Sequence, residues 1–183
     1  MSILKVNTIQ DKGGNAIITS DGSGTVTVNN DALKATPAFE AYSTANQDVS
    51  DNTYTKVQFP TEAFDTDSCY DNSTNYRFTP TVAGKYFVYA SVQALTDTSQ
   101  LQFTQVSIYK NGSMYNQRMI DFRANNGLQV SNNISAVINM NGSSDYLEIY
   151  GKVFKGGGSI TRFQGDNASD KSIQFGAYKL IGA

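Results

Sequence analysis

The chain has no histidine and no tryptophan, and only one cysteine and three prolines, among its 183 residues. Without histidine, the commonest general base and metal ligand is missing. The single thiol, Cys69, excludes an intramolecular disulfide framework. With no histidine to activate it, Cys69 reads as a semi-buried free thiol rather than a nucleophile. Charge is also scarce: Lys, Arg, Asp and Glu make up 16% of the residues and the formal net charge is -2. That leaves no basic field for nucleic acid and no cationic face for a membrane. No segment approaches the roughly 20 apolar residues of a membrane span, and Ser2-Ile3-Leu4-Lys5-Val6 lacks the apolar run of a secretory leader. The three glutamates, Glu40, Glu62 and Glu148, are scattered along the chain, so the paired carboxylates of a glycoside hydrolase are not apparent. Gly156-Gly157-Gly158 lacks the Lys and following helix of a phosphate-cradling loop and reads as a mobile hairpin tip. No catalytic residue, cofactor or metal is assigned, and no nucleic-acid or membrane partner is expected.

What the sequence does have is short polar side chains and glycine, which suit turns and exposed strand faces. The chain divides near Pro37. In residues 1–36, three short strand-like pieces, Leu4 to Ile9, Ala16 to Thr19 and Thr25 to Val28, alternate with turns rich in Gly, Asn and Asp. Each is too short to bury a core of its own. The segment gains order if copies wrap together or if it docks on a partner, or else it is a disordered leader.

Residues 37–183 read as a run of strands near Phe39 to Tyr42, Thr53 to Phe59, Asn75 to Phe78, Lys85 to Ala94, Leu101 to Lys110, Ser113 to Phe122, Leu128 to Met140, Asp145 to Phe154, Ser159 to Phe163 and Ser172 to Leu180. Asn111-Gly112 is a strong hairpin signal. Asn126-Gly127 and Asn141-Gly142 repeat it, which implies consecutive antiparallel strands. Tyr86, Val88, Ala90 and Val92 share one face of a strand, as do Ile134, Ala136, Ile138 and Met140, and Leu147, Ile149 and Val153. One aliphatic face per strand fits the gap between two packed sheets. Large rings lie on the opposite faces: Phe87, Tyr89, Tyr146 and Tyr150. Clustered rings mark an interface; the alternative is burial of both faces by loops. The expected fold is all-β, an antiparallel ten-stranded jelly-roll sandwich carrying a short N-terminal β-rich segment.

A spaced pattern supports this expectation. Phe59 is followed by Asp65, Tyr70, Phe78, Gly84, Tyr86 and Val88, with Tyr70-Asp71-Asn72-Ser73-Thr74-Asn75-Tyr76-Arg77-Phe78 in the middle. Val106-Ser107-Ile108-Tyr109-Lys110-Asn111-Gly112 and the closing Phe175-Gly176-Ala177-Tyr178-Lys179-Leu180 complete it. Together these resemble the globular C1q-like head, which shares its jelly roll with tumour necrosis factor. The chain departs from the family pattern by one extra residue and by Asn75 where glycine is usual, an exchange that a left-handed backbone at asparagine would accommodate. The opening Leu4-Lys5-Val6-Asn7-Thr8-Ile9-Gln10, with its following Gly14-Asn15-Ala16-Ile17-Ile18, resembles the N-termini of tail-fibre and structural proteins of marine tailed phages.

These resemblances imply a virion protein, assembled in the host cytoplasm and released by lysis. They imply a homotrimeric knob (residues 37–183) with its last strand near the three-fold axis, and attachment to another virion protein through residues 1–36. The expected trimer interface is Phe87, Tyr89, Tyr146, Tyr150 and Tyr178. A host-surface glycan or receptor is the expected ligand, met by loops far from the N-terminal segment: Gly157 in one, and Asp166, Asn167 and Asp170 in another. Those loops also read as plain solvated turns. Asp65, Asp67 and Asp71 form an acidic loop that either binds calcium or is merely solvated. The competing role is capsid decoration or a structural joint with no receptor.

Overall fold

A computed structural model describes residues 6–29, 35–165 and 170–182. Among these residues all regular structure is β-strand. The first three strands, β1 (Thr8–Gln10), β2 (Ala16–Ser20) and β3 (Val26–Val28), form a sheet of their own in the order β1-β2-β3. No described residue of 6–29 is buried. The turns of this sheet are internally fixed. Asp11 accepts hydrogen bonds from the Asn15 backbone and side-chain amides, and Asp21 accepts from the Ser23 and Thr25 backbone amides.

Thirteen strands follow in the described remainder, where the sequence implied ten: β4 (Ala38–Tyr42), β5 (Gln47–Asp48), β6 (Thr55–Lys56), β7 (Thr61–Asp65), β8 (Tyr70–Asp71), β9 (Arg77–Phe78), β10 (Gly84–Thr96), β11 (Leu101–Lys110), β12 (Ser113–Asp121), β13 (Gln129–Met140), β14 (Leu147–Lys155), β15 (Thr161–Phe163) and β16 (Gln174–Lys179). The additional strands are β5, β7 and β8. They are short, and β7 is an exposed edge strand whose Thr-Glu-Ala-Phe-Asp sequence carries no aliphatic alternation.

Two sheets pack face to face. In the first, β10 is the spine: β13 pairs with it from Gly84 to Leu95, while β16 and β15 share its other side. β4 and then β7 continue beyond β16, and β5 lies beyond β15. The second sheet runs β12-β11-β14-β9-β8, with β6 also on β14. All the pairings are antiparallel. The chain therefore crosses repeatedly between layers, at β5–β6, β6–β7, β7–β8 and β9–β10 and again at β10–β11, β12–β13, β13–β14 and β14–β15, which is the connectivity of a jelly roll.

Only one of the three Asn-Gly dipeptides closes a hairpin. Asn111 and Gly112, at φ 52° and 76°, join β11 to β12 with Lys110 opposite Ser113. Asn126-Gly127 and Asn141-Gly142 lie in connections between the sheets, because β13 pairs with neither of its neighbours in sequence. The consecutive-strand expectation fails there: an Asn-Gly dipeptide encodes a tight reversal, not the sheet that the next strand joins. The glycine loop 156–158 also links two sheets rather than tipping a hairpin, and it is tied down. Ser159 donates from its backbone and its hydroxyl to Asp97, and the Lys155 ammonium donates to the Gly158 carbonyl. The left-handed residue of the 71–77 turn is Tyr76 (φ 48°), not Asn75, whose side chain instead donates to Asp71 at 2.7 Å.

The residues of the spaced pattern meet in the core. The Phe39 ring stacks on Tyr70 and on Phe78, each at 4.6 Å between centroids, and meets Phe175 edge-on at 4.8 Å. Phe59 packs on Phe175 and Tyr86 on Phe78. The two hydroxyls in this cluster are satisfied: Tyr70 donates to the Phe59 carbonyl and Tyr86 to the Val82 carbonyl. Each buried ring contributes about 1.5–3 kcal/mol from area alone. Cys69 is buried, and burial pushes its thiol above the ordinary range.

Two glycines test the packing. Gly142 and Gly112 both have positive φ, but a Cβ at 142 would lie 2.2 Å from the Ala83 backbone nitrogen, whereas at 112 the nearest atom is the Tyr146 hydroxyl at 3.4 Å. Gly112→Ala should cost about 1 kcal/mol from the left-handed backbone alone, and Gly142→Ala about 2 kcal/mol more because the backbone of the neighbouring loop must shift. Urea denaturation of the two variants checks the difference; equal midpoints would contradict it.

Candidate functional site

The outer face of the first sheet carries two adjacent cross-strand rows. One runs Val137–Phe87–Tyr178–Ala38 and the next Ser135–Tyr89–Gly176–Glu40–Phe64. These positions point away from the core because β4, β10, β13 and β16 turn their aliphatic residues inward. Phe87 touches Tyr178 at 5.5 Å and Tyr89 at 6.2 Å between centroids. Val137, Phe64 and Tyr178 remain 50%, 49% and 42% exposed. A contiguous apolar patch of this kind on a sheet face is a contact surface in the making.

Gly176 makes the second row possible. A Cβ there would lie 2.4 Å from the Tyr89 ring, so only glycine lets the tyrosine lie across β16. The Tyr89 hydroxyl thereby reaches β4 and donates to Glu40 at 2.8 Å. The Lys171 ammonium donates to the other oxygen of Glu40 and sits over the Tyr42 ring at 5.3 Å. Burial by itself would raise the Glu40 carboxyl, but the bonds from Lys171 and Tyr89 outweigh it and hold the group below the ordinary carboxylate range. The same burial and the Glu40 charge push the Tyr89 phenol well above its usual value. A shallow cavity of about 350 Å³ adjoins the patch, lined by Tyr89, Asn133, Ser135, Gln174 and Arg118 among others.

The five rings expected at one interface divide between two faces. Phe87, Tyr89 and Tyr178 come together on the first sheet; Tyr146 and Tyr150 lie on the second, beside and on β14. Alternation shows that a ring avoids the core, but not which outer face it joins; strand pairing decides that. Tyr146 lies beneath the Arg77 guanidinium, 4.0 Å from the ring centroid, and Tyr150 packs on Tyr109 at 4.2 Å.

The expected ligand loops lie apart from these rings. Pro37 accepts a bond from the Lys179 amide and Leu180 donates to Lys85, so the N-terminal segment enters at the Lys85 end of β10. Gly157 lies beyond the other end of that strand, where its loop is fastened to Asp97, roughly 36 Å away along the strand. Asp170 is exposed, at the end of a loop that leaves β15 beside Gln93. Asp166 and Asn167 lie outside the described residues.

The acidic loop spends two of its carboxylates on local amides. Asp65 accepts from the Asp67 and Tyr70 backbone amides. Asp71 accepts from the Ser73, Thr74 and Asn75 amides, and the Thr74 bond foremost holds it well below the usual range. Among the described residues no cluster of three metal-ligating side chains occurs. The polar assembly that sequence reasoning missed is Tyr89–Glu40–Lys171, which had no signal in the sequence because the pairing of Tyr89 with Gly176 and Glu40 joins distant strands.

Neither a protein-family model nor a curated protein matches the chain. Solved structures do. The globular domain of the zebrafish complement 1qA protein superposes with a TM-score of 0.54 at 14% identity, over 79% of this chain and 97% of that one. Murine APRIL, solved at pH 5.0, gives a TM-score of 0.53 at 12% identity, over 78% and 98%. At these identities the likeness is one of fold, and it confirms the antiparallel jelly roll.

The low-lying Glu40 carboxyl fixes the sign of a pH effect. Its folded-state value lies below the unfolded 4.5, so its contribution to stability is complete above that pH and is lost as pH falls through the lower folded value. The melting temperature of the wild type should exceed that of Glu40→Gln at neutral pH, and the gap should close as pH falls below the ordinary carboxylate range. A gap that is constant with pH would contradict the assignment.

Proposed function

We propose that the chain is a virion structural protein of a tailed phage, forming a trimeric knob that contributes to recognition of the host surface. The observation that carries the assembly is the pair of ring rows on the outer face of the first sheet, with Phe87, Tyr89 and Tyr178 at their centre. Such a patch fits the contact between copies, and the last strand, β16, which bears Tyr178, then lies near the axis. The short, self-paired N-terminal strands bury nothing of their own. Their resemblance to phage virion proteins supports residues 1–36 as the attachment to another virion protein. Recognition rather than catalysis is the reading that the chain's chemistry favours: it has no histidine, and Asp71, Asp97 and Glu148 are engaged by local donors. Host contact falls to the loops at the end far from Pro37, those containing Gly157 and Asp170, where three copies would sum weak contacts into avidity.

Light scattering of the full chain should report a trimer at micromolar concentration. Tyr178→Asp, at an exposed ring, should leave the fold intact and give a monomer; a monomeric wild type would overturn the assembly. Removing residues 1–36 should leave the protein folded but missing from particles. Labelling the chain in imaged virions separates a tail position, which fits adsorption, from a capsid position, which fits decoration.

A further inference from the structure

The outer face of the second sheet holds a different arrangement. Glu148, buried on β14, accepts from the Lys56 ammonium at 2.7 Å and from Arg77 at 2.8 and 3.1 Å. Its side chain is 3% exposed, while those of Lys56 and Arg77 are 28% and 30% exposed, so anything arriving from solvent meets the cations and not the carboxylate. Each cation is also held by rings: Arg77 over Tyr146, Lys56 at 5.9 Å from Tyr150, and Lys152 at 5.0 Å from Tyr54 and 5.4 Å from Phe103. Lys152 has no carboxylate partner among the described residues. Asp71, opposite Arg77 in register, already accepts from the 73–75 turn. With the exposed Arg123–Asp121 pair beside Phe103 included, four cations face three carboxylates, one of them sealed in, on a chain whose net charge is -2. Between them the Tyr54 hydroxyl lies 2.9 Å from the Gln105 amide oxygen and 3.2 Å from that of Gln117, leaving both amide groups at the surface strip beside Lys152.

We propose that this face binds an acidic polysaccharide, with Arg77, Lys56 and Lys152 meeting its carboxylates and the Gln105, Gln117 and Tyr54 groups meeting its hydroxyls. The rings preorganise the cations, which lowers the entropy lost on binding. Glu148 and Lys152 are four residues apart on one strand, roughly 13 Å, so the anchors at the two ends suit an extended chain rather than one sugar ring. A nucleic acid fits less well. Base stacking needs free ring faces, and these are capped by cations. Three cations also neutralise few phosphates. The face lies on the opposite side of the sandwich from the Phe87–Tyr178 patch, so both surfaces are usable together. The proposal goes beyond the host-recognition reading above by adding a second contact surface, distinct from the far-end loops, with its own ligand class, and it does not rest on the trimer.

The test is binding of polygalacturonate, neutral dextran and single-stranded DNA to the full-length protein, with oligomeric state measured on the same samples. Polygalacturonate should bind, more weakly as salt rises, and dextran should not. Lys152→Gln should weaken binding about tenfold, Lys152→Arg should keep it, and Lys12→Gln, which changes net charge equally in the N-terminal sheet, should leave it unchanged. Lack of polygalacturonate binding, equal affinities for Lys152→Gln and wild type, equal losses for Lys152→Gln and Lys12→Gln, or tighter binding of DNA would overturn the proposal. A trimer that fails to bind sinks this inference alone, whereas a monomer that binds sinks the assembly and leaves the binding face standing.

Discussion

The position of the Phe39 ring governs much of the structure. It is held between Tyr70 and Phe78 and met edge-on by Phe175. Those four residues come from the first strand of the sandwich, two short strands of the opposite sheet and the last strand. The stack therefore joins the two layers and brings the beginning and end of the domain side by side. Beside it β4 pairs with β16, and β16 lies against β10. The extended spine of β10 then carries the ring rows of the first sheet's outer face.

The two outer faces are opposite solutions to one problem. A sandwich with a single core leaves each strand with a second set of side chains, and here many of these are aromatic. On the first sheet the rings pack on one another and on Gly176, and the carboxylate beside them, Glu40, is bridged by Tyr89 and Lys171. That surface is apolar, and it suits another protein surface. On the second sheet the rings pack beneath cations, and the one deeply buried carboxylate is covered. That surface stays wet and carries a local positive excess. Sparse charge thus does not mean uniform charge: the cations converge on one face while many carboxylates cap turns elsewhere.

Turn capping also explains how a chain so rich in Asn, Asp, Ser and Gly remains ordered. Asn141 accepts from the Ser143, Ser144 and Asp145 amides, and Asp71 holds its loop in the same manner. Each such bond replaces water on a backbone group that no strand would satisfy. Connections between layers become fixed structures rather than slack chain, as the tether between Asp97 and Ser159 shows.

The sequence alone determined what depends on near neighbours. Period-two alternation gave the inward residues of β10, β13 and β14; β11 was placed from Leu101 to Lys110; and the Asn111-Gly112 reversal was legible because a left-handed pair encodes its own turn. The spaced aromatic pattern was legible too, because its members are core residues. Sheet membership was not, since pairing joins positions far apart in the chain. That is why Asn126-Gly127 and Asn141-Gly142 proved to be crossings, and why Tyr146 and Tyr150 parted from Phe87 and Tyr89. Tertiary structure alone decided that Tyr76, rather than Asn75, takes the left-handed backbone, and that Lys56 and Arg77 converge on Glu148 from two other strands. Alternation says which side of a strand a group occupies, but only the assembled sheets say what stands across from it.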